Sequence, residues 1–305
     1  MPSEFELIYR YFAALGAGPN VDLSVGDDCA ILTLDPGERL ATSMDTMVEG
    51  VHFPADTFPE DIAFRAVSAA ASDLAAMGAR PVGMTLALTL PEADEFWANA
   101  FSQGVAQAVS EYQLPLVGGD ITRGPLTITV QVMGAVPAGQ ALLRQGARAG
   151  DGVYVSGTLG DAAAGLAFLQ DQWRTDPAAA EYLLQRYHRP TARLALGRQL
   201  LGRATAAIDI SDGLLQDAGH IAAASGVCLQ LESEALPLSE ALQECDDSEK
   251  ALIWALSGGE DYELCFTLPE GETPPASCTR IGSVVEGAGV KLDMPIDIPA
   301  GYQHF

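Results

Sequence analysis

The two halves of this chain repeat one rhythm, in which a β-rich segment, an acidic turn and a helical segment follow one another. In the first half, a strand pattern over residues 39–46 ends near an aspartate, and a small-residue helical pattern covers residues 61–79. Alternation of this kind predicts α/β packing. With 305 residues the chain exceeds the usual span of one hydrophobic core, so two domains are expected.

The fold class is predicted as α/β (α+β) in two domains, at 1–137 and 138–305. The first is expected to have strands at 39–46, 82–90 and 126–136 and helices at 61–79 and 95–112. The Gly- and Ala-rich stretch 137–150 marks the boundary. The second is expected to have strands at 153–156, 206–210, 228–232, 262–268 and 280–285, helices at 178–188, 191–201 and 214–225, and a helix from Ala162 with Asp161 as its N-cap.

The net charge of the chain limits the classes of molecule that it can bind. A net charge of -25, from 41 acidic against 16 basic residues, argues against nucleic acid and anionic membranes. A phosphate ligand then needs bound cations, local arginines or backbone N–H groups around it. The first residues lack a secretory signal pattern and no apolar run approaches the ~20 residues of a membrane helix, so a cytoplasmic location is expected. Five cysteines without a C-x-x-C pair suggest neither a disulfide framework nor a zinc site.

Lysine is almost absent from the chain. Lys250 and Lys291 are its two lysines, and neither lies in a G-x-x-x-x-G-K-[ST] motif. If the protein uses ATP, metal ions supported by arginine must therefore supply the cationic charge.

Aspartates recur at predicted strand ends beside Gly or Ser, at residues 26–28, 43–45, 72–73, 118–120 and 209–213. Carboxylates from several loops suit Mg²⁺ bound to a triphosphate, but Asp-Gly and Gly-Asp pairs are also ordinary turn residues. Asp73 lies in an alanine-rich helical pattern, where it is either a cation ligand or part of a solvated face. Asp209, Ser211 and Asp212 combine a strand carboxylate with a hydroxyl and a second carboxylate in the turn, which favours metal and phosphate binding.

Three further features each have two interpretations. Arg144, in a Leu-Leu-Arg-Gln-Gly-Ala turn, either grips a phosphate or lies on the surface. His52, seven residues after Asp45, is either a site residue or an ordinary loop histidine. The segment 258–262, with a double glycine before Glu260, is either a substrate-binding turn or the start of an ordinary hairpin.

Taken together, these motifs resemble the thiamine-monophosphate kinase family, within the ATP-binding superfamily that also contains aminoimidazole ribonucleotide synthetase. The matching segments run nearly end to end and include VGDDCA, MDTMVEGVHF, SDLAAMGARP, LVGGDITRGP, HRPTAR, IDISDGLLQD, SGGEDYELCFT and GYQHF. The resemblance implies in-line transfer of the γ-phosphoryl group of ATP to thiamine phosphate with several Mg²⁺ ions. It also implies an aminoimidazole ribonucleotide synthetase-like fold, a homodimer paired through the sheets of ATP- and metal-binding N-terminal domains, and active sites in clefts between the domains.

Position by position, the resemblance implies three sets of site residues. The magnesium ligands would be Asp28, Ser43, Asp45, Asp73, Asp120, Asp209 and Asp212; ATP would contact Gly119, Asp120, Arg144 and Ser211; thiamine phosphate would contact His52, Glu260 and Tyr302. No general base is expected, because the attacking phosphate is already largely ionised, and Asp45, Asp120 and Asp212 would act by positioning. Met44 and Ser102 depart from the family, whose members often have a threonine and an aromatic residue there.

Two alternatives stay open. One is another ATP-using enzyme of the superfamily, although Cys29 has no nearby lysine, as a selenophosphate synthetase would require, and the chain ends in Phe305, where a hydrogenase-maturation relative would end in cysteine. The other is a non-catalytic protein that binds Mg-nucleotide as a sensor or scaffold.

Overall fold

The computed structural model describes residues 3–294 and divides into two compact units. The first unit contains the residues up to Leu74 together with Ala79–Gly139, and the second contains Ala75–Gly78 together with the residues from Gln140 onward. Within residues 3–294, no helix has both the length and the apolar composition needed to cross a membrane.

The first unit is built on a four-stranded sheet. Its strands are β1 (Val21–Leu23), β2 (Ile31–Leu32), β3 (Glu38–Val48), β4 (Arg80–Leu90), β5 (Leu116–Arg123) and β6 (Thr127–Pro137), and its helices are α1 (Glu4–Leu7), α2 (Pro59–Ala76) and α3 (Glu95–Tyr112), with short helical turns at Ile8–Phe12 and Ala13–Gly16. The order β3-β6-β4-β5 makes β3 an edge strand, and β1 and β2 pair separately. Only β4 and β5 run parallel in the larger sheet, as far as the described residues extend.

Local sequence explains these elements. The carboxylate of Asp94 accepts hydrogen bonds from the N–H groups of Phe96 and Trp97, so it satisfies two otherwise unpaired donors at the start of α3. In β6 the buried Val130 and Val132 flank the exposed Gln131, which is the period-2 alternation of a sheet with one covered face.

The second unit contains a six-stranded sheet with the order β12-β9-β11-β7-β10-β8. Its elements are β7 (Gly152–Ser156), α4 (Asp161–Leu169), α5 (Pro177–His188), α6 (Leu194–Leu200), β8 (Ala206–Ile210), α7 (Leu214–Ser225), β9 (Cys228–Leu231), a turn of 3-10 helix (Ser233–Ala235), α8 (Glu240–Gln243), α9 (Ser248–Ser257), β10 (Glu263–Leu268), β11 (Cys278–Val285) and β12 (Gly289–Leu292). Every residue of β7, β8 and β10 is buried, so these strands form the centre of the core.

Most predicted elements are confirmed, and the helices at 95–112 and 214–225 and the strand at 206–210 agree to the residue. Three local predictions were wrong. Asp45 does not end its strand, because β3 pairs with β6 as far as Val48, and Asp120 lies inside β5. Gly160, with φ 86°, is the N-cap of α4, and Asp161 is the first helical residue.

Candidate functional site

In the first unit, Ser43 and Asp73 lie together. The Ser43 hydroxyl, on β3, donates a 2.5 Å hydrogen bond to Oδ2 of Asp73, on α2. Asp45 follows Ser43 by two residues along the strand and so shares its face, whereas the side chain of Met44 is on the opposite face and 62% exposed. Three predicted magnesium ligands therefore come from β3 and the helix next to it.

Asp28 and His52 lie in loops of the same unit. Asp28 is exposed between β1 and β2, and its backbone N–H donates to the carboxylate of Asp27 at 2.9 Å. The backbone N–H of Val48 donates to Nδ1 of His52 at 3.0 Å. Because Nδ1 accepts this hydrogen bond, the proton of a neutral His52 imidazole is on Nε2. This tautomer can donate a hydrogen bond from Nε2 to an anion.

Gly119 and Asp120 lie on β5 beside a mainly apolar cavity. A side chain at Gly119 would place its Cβ 2.0 Å from the carbonyl oxygen of Leu86, so the close approach of β4 requires glycine. The cavity is lined by Ile8, Phe12, Val25, Leu86, Leu88, Leu116, Gly118, Gly119, Asp120 and Ile121. Ser102 is buried in α3, and its hydroxyl donates to the carbonyl oxygen of Asn99 at 2.8 Å.

In the second unit, Asp209, Ser211 and Asp212 lie at the end of β8 and in the turn before α7. Asp209 is 5% exposed, whereas Ser211 and Asp212 are half-buried. The side chain of Gln216 donates to Oδ2 of Asp212 at 2.9 Å. Gly213 has φ 117°, a conformation that L side chains rarely adopt, and it closes the turn.

Asp217 fixes the shape of this turn, and the sequence analysis missed it. Its Oδ2 accepts hydrogen bonds from the backbone N–H groups of Ser211, Asp212 and Gly213 at 3.0, 3.1 and 3.1 Å. Burial raises the pKa of Asp217 to about 7, and the charges of Asp209 and Asp212 act in the same direction. A carboxylate in the first turn of a predicted helix is the sequence signal for such a role.

Arg144 lies in a turn that is held by a single hydroxyl. Oγ of Ser225 accepts hydrogen bonds from the N–H groups of Gly146 and Ala147 at 3.1 and 3.2 Å, and donates to the carbonyl oxygen of Arg144 at 3.2 Å. The Arg144 residue itself is exposed. The backbone is therefore fixed while the guanidinium group is on the surface.

Glu260 lies between the double glycine and β10, next to the turn that contains Ser211. Its N–H donates to the carbonyl oxygen of Ser211 at 2.8 Å. The carboxylate of Asp261 accepts the N–H groups of Gly160 and Ala162, at the start of α4, at 2.6 and 3.2 Å. Tyr302, the remaining predicted substrate residue, lies outside the described residues.

A buried ionic cluster adjoins this segment. The carboxylate of Glu263 is fully buried and accepts hydrogen bonds from Arg186, from two nitrogens of Arg193 and from the hydroxyl of Ser156. Asp161, also fully buried, accepts hydrogen bonds from neighbouring hydroxyl groups. Arg193, which ends the HRPTAR segment, therefore stabilises the second unit through its ion pair with Glu263.

The donor set fits magnesium without forming a closed cage. Among residues 3–294 no group of three or more His, Cys, Asp or Glu side chains is arranged to hold a metal ion by itself. Mg²⁺ usually binds proteins through one or two carboxylates and takes its other ligands from water and substrate phosphates. The Ser43–Asp73 pair in the first unit and the Asp209–Asp212 segment in the second have oxygen atoms of that kind.

Comparison with known proteins identifies the family of this chain. Residues 26–136 match the AIR synthase related protein, N-terminal domain, and residues 148–294 match the AIR synthase related protein, C-terminal domain. The thiamine-monophosphate kinase of Salmonella typhimurium is 47% identical over 318 residues, which cover 99% of this chain and 98% of that protein. The chain belongs to the thiamine-monophosphate kinase family.

Two solved structures of this family have the same fold. The crystal structure of thiamine-monophosphate kinase from Stenotrophomonas maltophilia K279a is 44% identical with a TM-score of 0.85, and the match covers 90% of this chain and 92% of that one. AaThiL complexed with AMPPCP and TMP is 38% identical with a TM-score of 0.82, and the match covers 92% of each chain. The family and the two-domain fold expected from the sequence motifs are thus confirmed.

Proposed function

We propose that this protein transfers the γ-phosphoryl group of ATP to thiamine phosphate, giving thiamine diphosphate and ADP. The observation that carries the proposal is the 47% identity, over 99% of the chain, to a thiamine-monophosphate kinase. A relative 38% identical has been solved as a complex with AMPPCP and TMP, which supports the same pair of substrates here.

Residues of both units have chemistry that suits these substrates. Gly119 and Asp120 are exposed on β5 and are proposed to contact ATP. The exposed guanidinium of Arg144 suits phosphate oxygens. Nε2 of His52 suits the anionic phosphate of the acceptor, and the carboxylate of Glu260 suits its cationic or N–H-rich portion.

Magnesium is proposed to be bound by Asp28, Ser43, Asp45, Asp73, Asp120, Asp209 and Asp212, each in combination with water or phosphate oxygens. Bound Mg²⁺ would supply most of the positive charge for the polyphosphate, because the chain has a net charge of -25 and Arg144 alone is proposed to support the metal ions.

The chain's own part in the reaction is positioning. A phosphate oxygen of thiamine phosphate forms a bond to the γ-phosphorus, and the bond from that phosphorus to the bridging oxygen of ADP breaks. Because the attacking oxygen is already ionised, the residues need only align it and stabilise charge on the transferred group. Asp217, by fixing three backbone N–H groups, orients the turn that contains Ser211 and Asp212.

The test of this function is a coupled assay of ADP release with Mg-ATP, with and without thiamine phosphate, followed by identification of the product by mass. We expect release that depends on thiamine phosphate and yields thiamine diphosphate. Mg-dependent ATP binding without turnover would instead indicate a relative with another acceptor or a nucleotide sensor.

Two substitutions test the metal-binding residues. Asp45→Asn and Asp212→Asn are each expected to lower kcat/KM by at least about 100-fold, as loss of charge stabilisation in a transition state does. Asp56→Asn and Asp246→Asn remove the same charge from exposed positions and serve as matched controls that should keep wild-type activity. Circular dichroism and thermal unfolding check the fold of each variant, and unchanged turnover in Asp45→Asn or Asp212→Asn would contradict the proposed roles.

The protein is further proposed to be a homodimer in the cytoplasm. Support for the dimer comes from the edge strand β3, on which Leu40 and Met44 are 54% and 62% exposed on one face. Neighbouring apolar side chains on an open sheet face are typical of surfaces that pair with a second copy. We also propose that the domains divide at 137/138, with ATP binding, metal binding and dimerisation in the first domain.

A further inference from the structure

The segment from Gly259 to Tyr262 has an unusual backbone. Glu260 and Tyr262 have φ angles of 73° and 52°, in the left-handed region that bulky L-residues rarely occupy. Such conformations persist where surrounding contacts over-determine them, and they concentrate at ligand sites. The contacts of Glu260 and Tyr262 therefore indicate which arrangement of side chains the strained backbone supports.

Backbone contacts fix this segment against the turn after β8. The N–H of Glu260 donates to the carbonyl oxygen of Ser211 at 2.8 Å, and the N–H of Tyr262 donates to that of Ile210 at 2.9 Å. A Cβ at Gly259 would lie 2.3 Å from the carbonyl oxygen of Ser211, so the two backbones are in direct contact. Between the two strained residues, Asp261 is 1% exposed and is bound by two N–H groups of α4.

A side-chain contact adds to these backbone contacts. The hydroxyl of Tyr262 donates to Oε2 of Glu260 at 2.8 Å. Tyr262 is 5% exposed, while Glu260 is half-buried, so the donor is fixed in the core and the carboxylate it contacts is accessible from the surface. A buried tyrosine is a rigid support, because its side chain has only two torsion angles and its hydroxyl oxygen lies on the axis of the ring.

From this geometry we infer that Tyr262 is a positioning residue, which orients the carboxylate of Glu260 toward the acceptor substrate through its hydroxyl. The inference rests on the proposed function, in which Glu260 contacts thiamine phosphate. The positive φ of both residues brings the tyrosine hydroxyl back onto the side chain two positions earlier in the chain. Glu260 thereby keeps one carboxylate orientation while its backbone is bonded to the turn that contains Ser211.

The substitution Tyr262→Phe removes the hydroxyl and leaves the ring. We expect the KM for thiamine phosphate to rise about tenfold, the usual effect of losing one hydrogen bond to a charged group. The kcat and the KM for ATP should stay within about twofold, because the contact concerns acceptor binding alone. Tyr154→Phe, which removes a hydroxyl from another buried tyrosine of the same unit, is the matched control and should leave all three constants unchanged.

A double-mutant cycle separates positioning from packing. In the Glu260→Ala background, Tyr262→Phe should have no further effect on the KM for thiamine phosphate, since its target is already absent. Isothermal titration of thiamine phosphate to each variant should give the same pattern in dissociation constants without turnover. An additive effect of the two substitutions, or equal losses for ATP and thiamine phosphate, would overturn the inference.

A second variant keeps the test decisive if Tyr262→Phe is unstable. Glu260→Asp retains the charge but withdraws the carboxylate from the hydroxyl, so it should also raise the KM for thiamine phosphate, and a wild-type value would overturn the inference. If the wild-type protein turns over thiamine phosphate while Tyr262→Phe is indistinguishable from it, the inference alone fails. If the wild-type protein neither binds nor uses thiamine phosphate, the proposed function fails and the inference fails with it.

Discussion

At the residue scale, Asp261 has the environment with the clearest consequence for stability. Burial raises its pKa from the ordinary 3.8 to about 7, and the charge of Asp161 acts in the same direction, while Arg186 and the N–H groups of Gly160 and Ala162 oppose the shift. Below about pH 7 the native state holds a proton that the unfolded chain releases near pH 4. The free energy of unfolding should therefore fall as pH rises through this window, by about 4 kcal/mol for a shift of about three units.

The variant Asp261→Asn tests this linkage, because it removes the titrating group and keeps one oxygen acceptor. Urea unfolding at pH 5, 6, 7 and 8 should show the wild-type protein losing roughly 3 kcal/mol relative to the variant. Asp246→Asn, at an exposed position, should follow the wild-type curve. Parallel curves for the wild-type protein and Asp261→Asn would show that Asp261 is ionised throughout this range.

Single residues show what the sequence could and could not reveal about the site. Asp209, Ser211 and Asp212 were identified as candidates because a strand, a hydroxyl and two carboxylates follow one another locally. Asp217 was missed, since its partners are backbone N–H groups whose positions depend on the fold. Candidate ligand-binding side chains can thus be recognised from local patterns more readily than the side chains that support them.

At the element scale, helix propensity and packing have opposite effects on stability where α3 contacts α2. A Cβ at Gly104, in the middle of α3, would lie 2.1 Å from the carbonyl oxygen of Glu60. Helix propensity alone predicts that Gly104→Ala stabilises the protein by about 1 kcal/mol. Because the two helix backbones would have to separate, we expect destabilisation by about 1 to 3 kcal/mol in urea unfolding.

Gly219 provides the matched control. It also lies inside a helix, α7, but an added Cβ there meets no atom within 4 Å. Gly219→Ala should therefore raise the free energy of unfolding by about 0.5 to 1 kcal/mol. If both alanine variants changed stability in the same direction, packing at Gly104 would not be the deciding effect.

Element positions followed from periodicity, whereas element ends often did not. Helix α3 begins at a capping aspartate and was predicted to the residue. Strand β3 was expected to end just after Asp45, at residue 46, yet it extends to Val48, because strand length is set by pairing with β6 and not by polarity. The segment 118–120 was expected at the end of a strand, yet it lies inside β5, because Gly118, Gly119 and Asp120 resemble a turn when read without a partner strand.

At the scale of the whole molecule, the division into two units agrees with the rhythm of the sequence, but the strand orders do not follow from it. In the second unit β10 lies between β7 and β8, although it follows both by more than 50 residues. Such pairings depend on which apolar faces meet, and local patterns contain no information about that choice. The sequence therefore indicated an α/β fold in two domains but not the order of the strands within each sheet.

The proposed dimer gives the prediction that belongs to the whole molecule. Leu40 and Met44 lie on one face of β3 and are 54% and 62% exposed, so Leu40→Lys/Met44→Lys would place like charges on the face proposed to pair. Sedimentation equilibrium should find a dimer for the wild-type protein and a monomer for the double variant, because buried unpaired lysines are costly. Phe96→Lys, at a position 90% exposed on α3, is the control and should remain dimeric. A wild-type monomer would exclude the dimer, whereas a double variant that still dimerises would exclude this face and require another surface to unite the two copies.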